Sequence, residues 1–188
     1  MQTSCAICET AANSTVVFEQ HLTSTSLNPA IFSARRTPDG QYFRWTKCNS
    51  CSLMRSDPVL DLNLKDFYTE STFDYSSEVV SLKRTYWKLV QRALNDTDFK
   101  NSIFEIGGGN GFFLEEAKDS GFQEILGVEP SRNSILAARS DIRPYMVQDI
   151  LKEGIIKRGA YQVGVMFHTL DHMSDPAAAL RICFDALV

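Results

Sequence analysis

The chain has 188 residues, 44% of them apolar and 22% charged, values ordinary for a folding domain that exclude a disordered, collagen-like or low-complexity chain. Lys and Arg number 19 against 23 Asp and Glu, a formal net charge of −4, so no basic field points to nucleic acid or to an anionic membrane. The length suits one well-buried domain with a small appendage. The longest apolar runs, such as Val163 to Phe167, fall far short of the roughly 20 residues that span a bilayer, and Met1-Gln2-Thr3-Ser4 is too polar to open a signal peptide. The expectation is a soluble, cytoplasmic protein with neither a membrane nor a nucleic-acid partner.

Four of the five cysteines fall in two close pairs, Cys5-Ala6-Ile7-Cys8 and Cys48-Asn49-Ser50-Cys51, separated by 39 residues; Cys183 stands apart. A two-residue spacer lets both thiolates of a pair reach one ion, and two such pairs complete a tetrahedral four-thiolate zinc shell. That shell has no open position, so the metal is expected to be structural and to clamp a unit too small to hold itself by core burial. Four unrelated buried thiols or two disulfides are the alternatives, and the pairing fits a reducing compartment better than a secreted disulfide framework. The residue after each pair is Glu9 or Ser52, where zinc knuckles often place Gly. Strand-like stretches at Thr15 to Phe18 and Gln41 to Trp45, with a turn at Thr37-Pro38-Asp39-Gly40, complete a small β-rich, zinc-ribbon-like module over residues 1–60.

An aromatic segment, 61–76, leads to the second unit, 77–188. From Ser77 to Asn95 the apolar positions Val79, Leu82, Tyr86, Leu89, Val90, Ala93 and Leu94 recur every three or four residues, as on an amphipathic helix. Beyond it the pattern predicts strand 102–106, helix 111–120, strand 124–129, helix 131–139, strand 144–148, strand 161–167 and helix 176–187. Pro176, after Ser174-Asp175, suits the first turn of that last helix, where its missing N–H costs nothing. Alternating strands and helices imply a parallel sheet covered on both faces, an α/β three-layer Rossmann-like architecture.

The stretch Ile103-Phe104-Glu105-Ile106-Gly107-Gly108-Gly109-Asn110-Gly111-Phe112 runs an apolar strand into successive glycines and then into a helix. Glycine there lets the backbone turn tightly and approach a ligand where a Cβ would collide. The spacing is G-x-G-x-G; the nicotinamide fingerprint G-x-G-x-x-G needs glycine where Phe112 stands, which disfavours a pyrophosphate cradle. The next strand ends in Glu129, 18 residues beyond Gly111. A carboxylate at that strand end can accept bonds from both hydroxyls of a ribose.

In these residues the chain resembles the class I S-adenosylmethionine-dependent methyltransferases over roughly residues 77–188. Glu105 to Gly111 looks like their first motif, Gly127-Val-Glu-Pro130 their second, Val147-Gln-Asp-Ile150 the segment that reads adenine, and Val163 to Pro176 their fourth strand and following loop. The resemblance implies sheet order 3-2-1-4 and a cofactor pocket made by Glu105, Gly107, Gly108, Gly109, Asn110, Gly111, Phe112, Glu129, Pro130, Asp149, Ile150 and Phe167. Asp149 would accept from the adenine amino group. The paired cysteines, and Lys47 to Pro58 in particular, look like the zinc-ribbon-bearing subgroup that includes sugar C-methyltransferases of deoxysugar biosynthesis, and Phe67-Tyr68 and Phe73-Asp74-Tyr75 resemble its bridging aromatic segment.

Methyl transfer from a sulfonium is an in-line displacement in which the protein aligns nucleophile, methyl carbon and leaving sulfur. A carbon acceptor, such as that of a keto-deoxysugar nucleotide, also needs a base, and His168 and His172 at the C-terminal mouth of the sheet are the candidates; Tyr68 and Tyr75 could assist. The chain stops at Ala186-Leu187-Val188, where class I domains continue into further strands, so the expectation is a truncated domain whose strand 161–167 is an uncovered edge able to pair two copies. Two other readings compete: a non-catalytic zinc-ribbon scaffold with a vestigial cofactor fold, and an NAD-dependent oxidoreductase, against which Phe112 counts.

Overall fold

The computed structural model describes residues 4–9, 13–21, 42–57, 78–94 and 101–188. The turn at 37–40 and the aromatic segment 61–76, with Tyr68 and Tyr75, lie outside the described residues. Among the described residues no helix is long and apolar enough to cross a membrane.

The N-terminal part is a three-stranded antiparallel sheet of β1 (Ser14–Phe18), β2 (Trp45–Cys48) and β3 (Met54–Ser56), in the order β1-β2-β3. Ser14 pairs with Cys48 and Trp45 with Ser56. The strand expected at 41–45 therefore begins where the sequence pattern placed its end. Along β2, Thr46 and Cys48 are buried while Trp45 and Lys47 face out. The period-2 alternation that counts is the one delivering Cys48 to the interior, and the Tyr-Phe-Arg-Trp run was the weaker signal.

The remainder is a four-stranded parallel sheet. Helix α1 (Val79–Leu94) precedes β4 (Ser102–Ile106), α2 (Phe112–Asp119), β5 (Glu124–Val128), α3 (Arg132–Ala137), β6 (Met146–Val147), β7 (Val163–Met166) and α4 (Pro176–Ala186). The sheet order is β6-β5-β4-β7 and every pairing is parallel, which is the 3-2-1-4 order expected. Successive residues of β4 serve opposite faces. Ile103 joins Phe113, Leu114, Ala117, Tyr86 and Val90 in the core beneath α1 and α2, while Phe104 and Ile106 join Ile156, Cys183 and Ala186 on the α4 side. Gly164 of β7 is the space the Phe104 ring fills: a Cβ there would stand 2.3 Å from the ring's Cζ.

The elements form largely where the pattern places them, with three local differences. On α1, Leu89 is exposed and Trp87 turns inward, edge-on to Phe122 at 6.3 Å. The strand expected at 144–148 shrinks to β6, because Pro144 lies in a short 3-10 turn, Arg143–Tyr145, and only Met146 and Val147 pair with β5. The strand expected at 161–167 is β7 alone, and Tyr161 instead bridges Leu187 in parallel, with Val188 N–H donating to Tyr161 O at 3.0 Å. At the start of α4 the Asp175 carboxylate accepts from Ala178 N–H at 2.8 Å, the cap that Asp175-Pro176 implies.

Candidate functional site

Among the described residues, the paired cysteines and the mouth of the parallel sheet are the places where the sequence puts its candidate site residues. In the N-terminal sheet, Cys5 and Cys8 sit on the turn before β1, Cys48 ends β2, and Cys51 follows on the turn toward β3. Their four Sγ atoms lie within 4.8 Å of one another, with Cys5 and Cys51 at 3.6 Å. That separation is far too long for a disulfide, whose sulfurs stand about 2 Å apart. It fits a tetrahedral shell, in which Zn–S bonds of about 2.3 Å put sulfurs somewhat under 4 Å apart. The two turns repeat one geometry: Glu9 N–H bonds Cys5 O at 2.8 Å and Ser52 N–H bonds Cys48 O at 2.9 Å. Glu9 and Ser52 both take left-handed backbone, with φ of 55° and 65°. The positions where zinc knuckles often carry Gly thus keep the glycine conformation without the glycine. Backbone N–H groups of Cys8 and Ile7 lower the Cys5 thiol, and those of Cys51 and Ser50 bring Cys48 down to about 6, whereas the neighbouring Cys51 pushes Cys8 up to about 12. One thiol of each pair is thus shifted toward its thiolate, and a dication bound there would remove the repulsion that opposes the rest.

The second place is the C-terminal mouth of the parallel sheet. After β4 the chain turns through Gly107, Gly109 and Gly111, all at positive φ, before α2 begins. At Gly107 and Gly111 packing within the protein by itself requires glycine. A Cβ at Gly107 would stand 2.2 Å from Thr169 Oγ1, and one at Gly111 would stand 2.9 Å from Ile142 Cγ2, so protein atoms already occupy both positions. Gly107 N–H and Gly108 N–H both reach Val128 O, at 2.8 and 3.3 Å, tying the loop to the end of β5.

Glu129 follows immediately and is 8% exposed. Its Oε2 accepts from Gly109 N–H at 2.8 Å and its Oε1 from Ser131 N–H at 2.7 Å, so the carboxylate clamps the glycine loop to the start of α3. A carboxylate has about four acceptor sites, so two remain for a ligand's hydroxyls. Burial raises the Glu129 carboxyl, and the two N–H donors oppose that rise. Two buried acceptors beside the loop, Glu105 Oε2 and Asn110 Oδ1, have no hydrogen-bond partner. Buried acceptors rarely go unsatisfied, and this pair matches a ligand that brings N–H donors or positive charge.

The remaining candidates are arranged around this mouth. Asp149, beyond β6, accepts from Ile150 N–H at 2.9 Å and faces Lys152 Nζ at 2.5 Å. Phe112 is buried against Tyr86, ring centroids 5.7 Å apart, so a side chain fills the place of the nicotinamide fingerprint's last glycine. Phe167 stacks on Tyr86 at 4.0 Å and meets Phe113 edge-on at 5.0 Å, giving it a core role at the end of β7. His168, next in the chain, is exposed, takes φ of 50° and lies 6.0 Å from the Tyr86 ring. A non-glycine residue in that conformation is uncommon and costs energy that the surroundings must supply. His172 is also exposed, on the short turn Leu170–His172, with Nε2 3.5 Å from Asp171 Oδ2.

Three residues outside the sequence's set of candidate site residues contribute. Thr169 packs against Gly107 while its hydroxyl donates to Phe167 O at 2.9 Å. Ser131 both donates to Glu129 and caps α3 by accepting from Ser134 N–H at 3.1 Å, a role its place after Pro130 could have signalled. Met146 lies beneath Gly127, where a Cβ would stand 2.5 Å from its sulfur. The contacts of Thr169 and Met146 join segments distant in the chain and leave no local pattern.

Comparison with known proteins matches residues 81–187, more than half of the chain, to a family described as a methyltransferase domain. No curated protein matches the chain. Among solved structures it is similar to the YcgJ protein from Bacillus subtilis, at 16% identity and a TM-score of 0.44 over 60% of this chain and 47% of that one. It is similar also to an S-adenosylmethionine-dependent methyltransferase from Mesorhizobium loti, at 19% and 0.43 over 53% and 47%, and to one from Archaeoglobus fulgidus, at 22% and 0.43 over 61% and 54%. The chain spans about half the length of these solved relatives.

Proposed function

Since the chain belongs to the methyltransferase-domain family, we propose that it is an S-adenosylmethionine-dependent methyltransferase for a small-molecule acceptor, specifically a carbon atom of a keto-deoxysugar nucleotide. The observation that carries the cofactor reading is the loop Gly107–Gly111 clamped by Glu129, with Glu105 Oε2 and Asn110 Oδ1 unpaired beside it. The residues fit the group in their chemistry: Glu129 offers acceptors to ribose hydroxyls, Asp149 with Ile150 reads adenine, and Glu105 and Asn110 face the ammonium end. Gly107, Gly108, Gly109 and Gly111 form the loop with Phe112 anchoring it, while Pro130 and Phe167 shape its two flanks.

The bound group supplies an electrophilic methyl whose sulfonium leaves as a neutral thioether. His168, held in a strained conformation at the end of β7, removes the proton from the acceptor carbon, and His172 is the second candidate for that base. The chain is read as a module of residues 1–60 clamped by zinc on Cys5, Cys8, Cys48 and Cys51, a linker 61–76, and a cofactor-binding domain 77–188. The acceptor class rests on the cysteine module's resemblance to the sugar C-methyltransferase subgroup.

The experiment is transfer of isotopically labelled methyl from S-adenosylmethionine to a panel of keto-deoxysugar nucleotides by the zinc-loaded chain. Label on a ring carbon, lost in His168→Ala, supports the reading. Label on no sugar, together with transfer to another class of small molecule, overturns the acceptor and leaves the family.

A further inference from the structure

Glu105 lies near the C-terminal end of β4, at 3% exposure. Its register neighbours are Gly127 of β5 and Val165 of β7, neither of which offers a charge or a side-chain donor. It shares the face of Ile103, toward α1 and α2, and its Oε2 stands 3.5 Å from where a Cβ on Gly108 would be. That oxygen is buried and unpaired. Across the α1–α2 contact, Lys83 Nζ pairs with Glu115 Oε2 at 3.1 Å and with Glu116 Oε2 at 3.8 Å, and Arg139 also reaches Glu115, at 4.0 Å. The titratable group whose charge acts on Glu105 is Glu129, and it already holds two backbone N–H donors, Gly109 of the loop and Ser131 at the start of α3.

Two carboxyls are thus buried at the same end of the sheet, and of the two it is Glu129 that has N–H donors to stabilise a negative charge. Burial first, and the Glu129 charge second, hold the Glu105 carboxyl well above its ordinary range. An incoming cation reverses that balance, because an opposite charge within roughly 4–6 Å favours the ionised carboxylate.

We propose that Glu105 carries a proton before ligand arrives and gives it up when the cationic end of S-adenosylmethionine settles on the glycine loop. The inference rests on the cofactor reading above. The O–H bond of the carboxyl breaks, its electron pair stays on the carboxylate, and the proton passes to buffer. Binding is therefore proton-linked: affinity rises with pH, up to about tenfold per pH unit while Glu105 is protonated when free and ionised when bound.

The test is calorimetric titration of the full chain with S-adenosylmethionine between about pH 6 and 7.5, where the ligand's amine stays largely charged, in buffers of differing ionisation enthalpy. The dependence of observed heat on buffer gives the protons released. Close to one per ligand is expected for the natural chain and none for Glu105→Gln, whose affinity should be flat with pH. No proton released by the natural chain, or as many released by Glu105→Gln, overturns the proposal. A second measurement needs neither ligand nor variant: the side-chain carboxyl carbons of 13C-glutamate-labelled protein, followed by NMR through pH 7. One buried carboxyl still protonated there is expected, and all carboxyls ionised overturns the proposal. Failure to bind S-adenosylmethionine with that protonated carboxyl present would instead strike the cofactor reading.

Discussion

Replacing Gly107 by alanine probes how the loop at the sheet mouth is held. Gly107 has φ of 75°, and an added Cβ would stand 2.2 Å from Thr169 Oγ1 and 2.8 Å from its Cγ2. The left-handed backbone alone costs a residue with a Cβ about 1–2 kcal/mol. Thr169 must also swing away and surrender its 2.9 Å bond to Phe167 O, a further loss of about 0.5–1.5 kcal/mol. Gly107→Ala is therefore expected to cost about 1.5–3.5 kcal/mol. In a Thr169→Ala background the Oγ1 and Cγ2 contacts are gone, and the nearest remaining atom is the Cβ of residue 169 at 3.1 Å. The same substitution should then cost only the backbone part, leaving a coupling of about 1 kcal/mol. Urea unfolding of the four chains measures it, with S-adenosylmethionine affinity recorded alongside. A coupling within about 0.3 kcal/mol of zero would show that Thr169 does not hold the loop, and the packing explanation for Gly107 would fail.

Glu9→Gly and Ser52→Gly relieve left-handed strain at two non-glycine positions; each should stabilise the zinc-loaded chain by about 0.5–1 kcal/mol, and lower unfolding midpoints would refute the strain. Zinc should bind at one ion per chain by elemental analysis and be lost in Cys48→Ser, with chelation of the natural protein lowering its melting temperature; unchanged metal content in that variant would remove Cys48 from the shell. The Glu105 carboxyl is raised well above 4.5 in the folded chain. The stability its neutral form contributes is fully present below about pH 4.5 and drains away as pH rises through the raised value, so Glu105→Gln should show a flatter pH profile and gain on the natural chain at alkaline pH. Among the histidines, His168→Ala should lower turnover about 10²-fold or more with cofactor affinity unchanged, while His172→Ala has the smaller effect; the reverse order would move the base to His172.

Where a local pattern and the tertiary need coincide, the residues were readable. The five residues of β4, Ser102–Ile106, are all buried, and a short apolar run before glycines is what a central parallel strand requires. The Asp175-Pro176 cap and the cysteine pairs are likewise short-range signals with one physical purpose each. Legibility fails where the cause lies elsewhere in the chain. The place of β2 is set by Cys48 reaching the other three sulfurs, which outweighs the aromatic run before it. Only two residues of β6 find partners on β5, whatever the propensity of those around them. The glycines are legible as a tight loop, but the packing of Thr169 and Ile142 against Gly107 and Gly111 is not, because those two residues come from distant segments and show no periodicity that would place them there. Glu129 was found by its position at the end of a strand; its hold on the backbone of Gly109 and Ser131 emerges only when β4 and β5 lie side by side.

The most direct test of the central claim is calorimetric titration of the zinc-loaded chain with S-adenosylmethionine and, separately, with NAD. The account predicts saturable binding of S-adenosylmethionine alone, weakened at least about tenfold in Glu129→Ala, which loses the ribose acceptor and the clamp on Gly109. A folded chain that binds NAD, or that binds S-adenosylmethionine equally well without the Glu129 carboxylate, would contradict it.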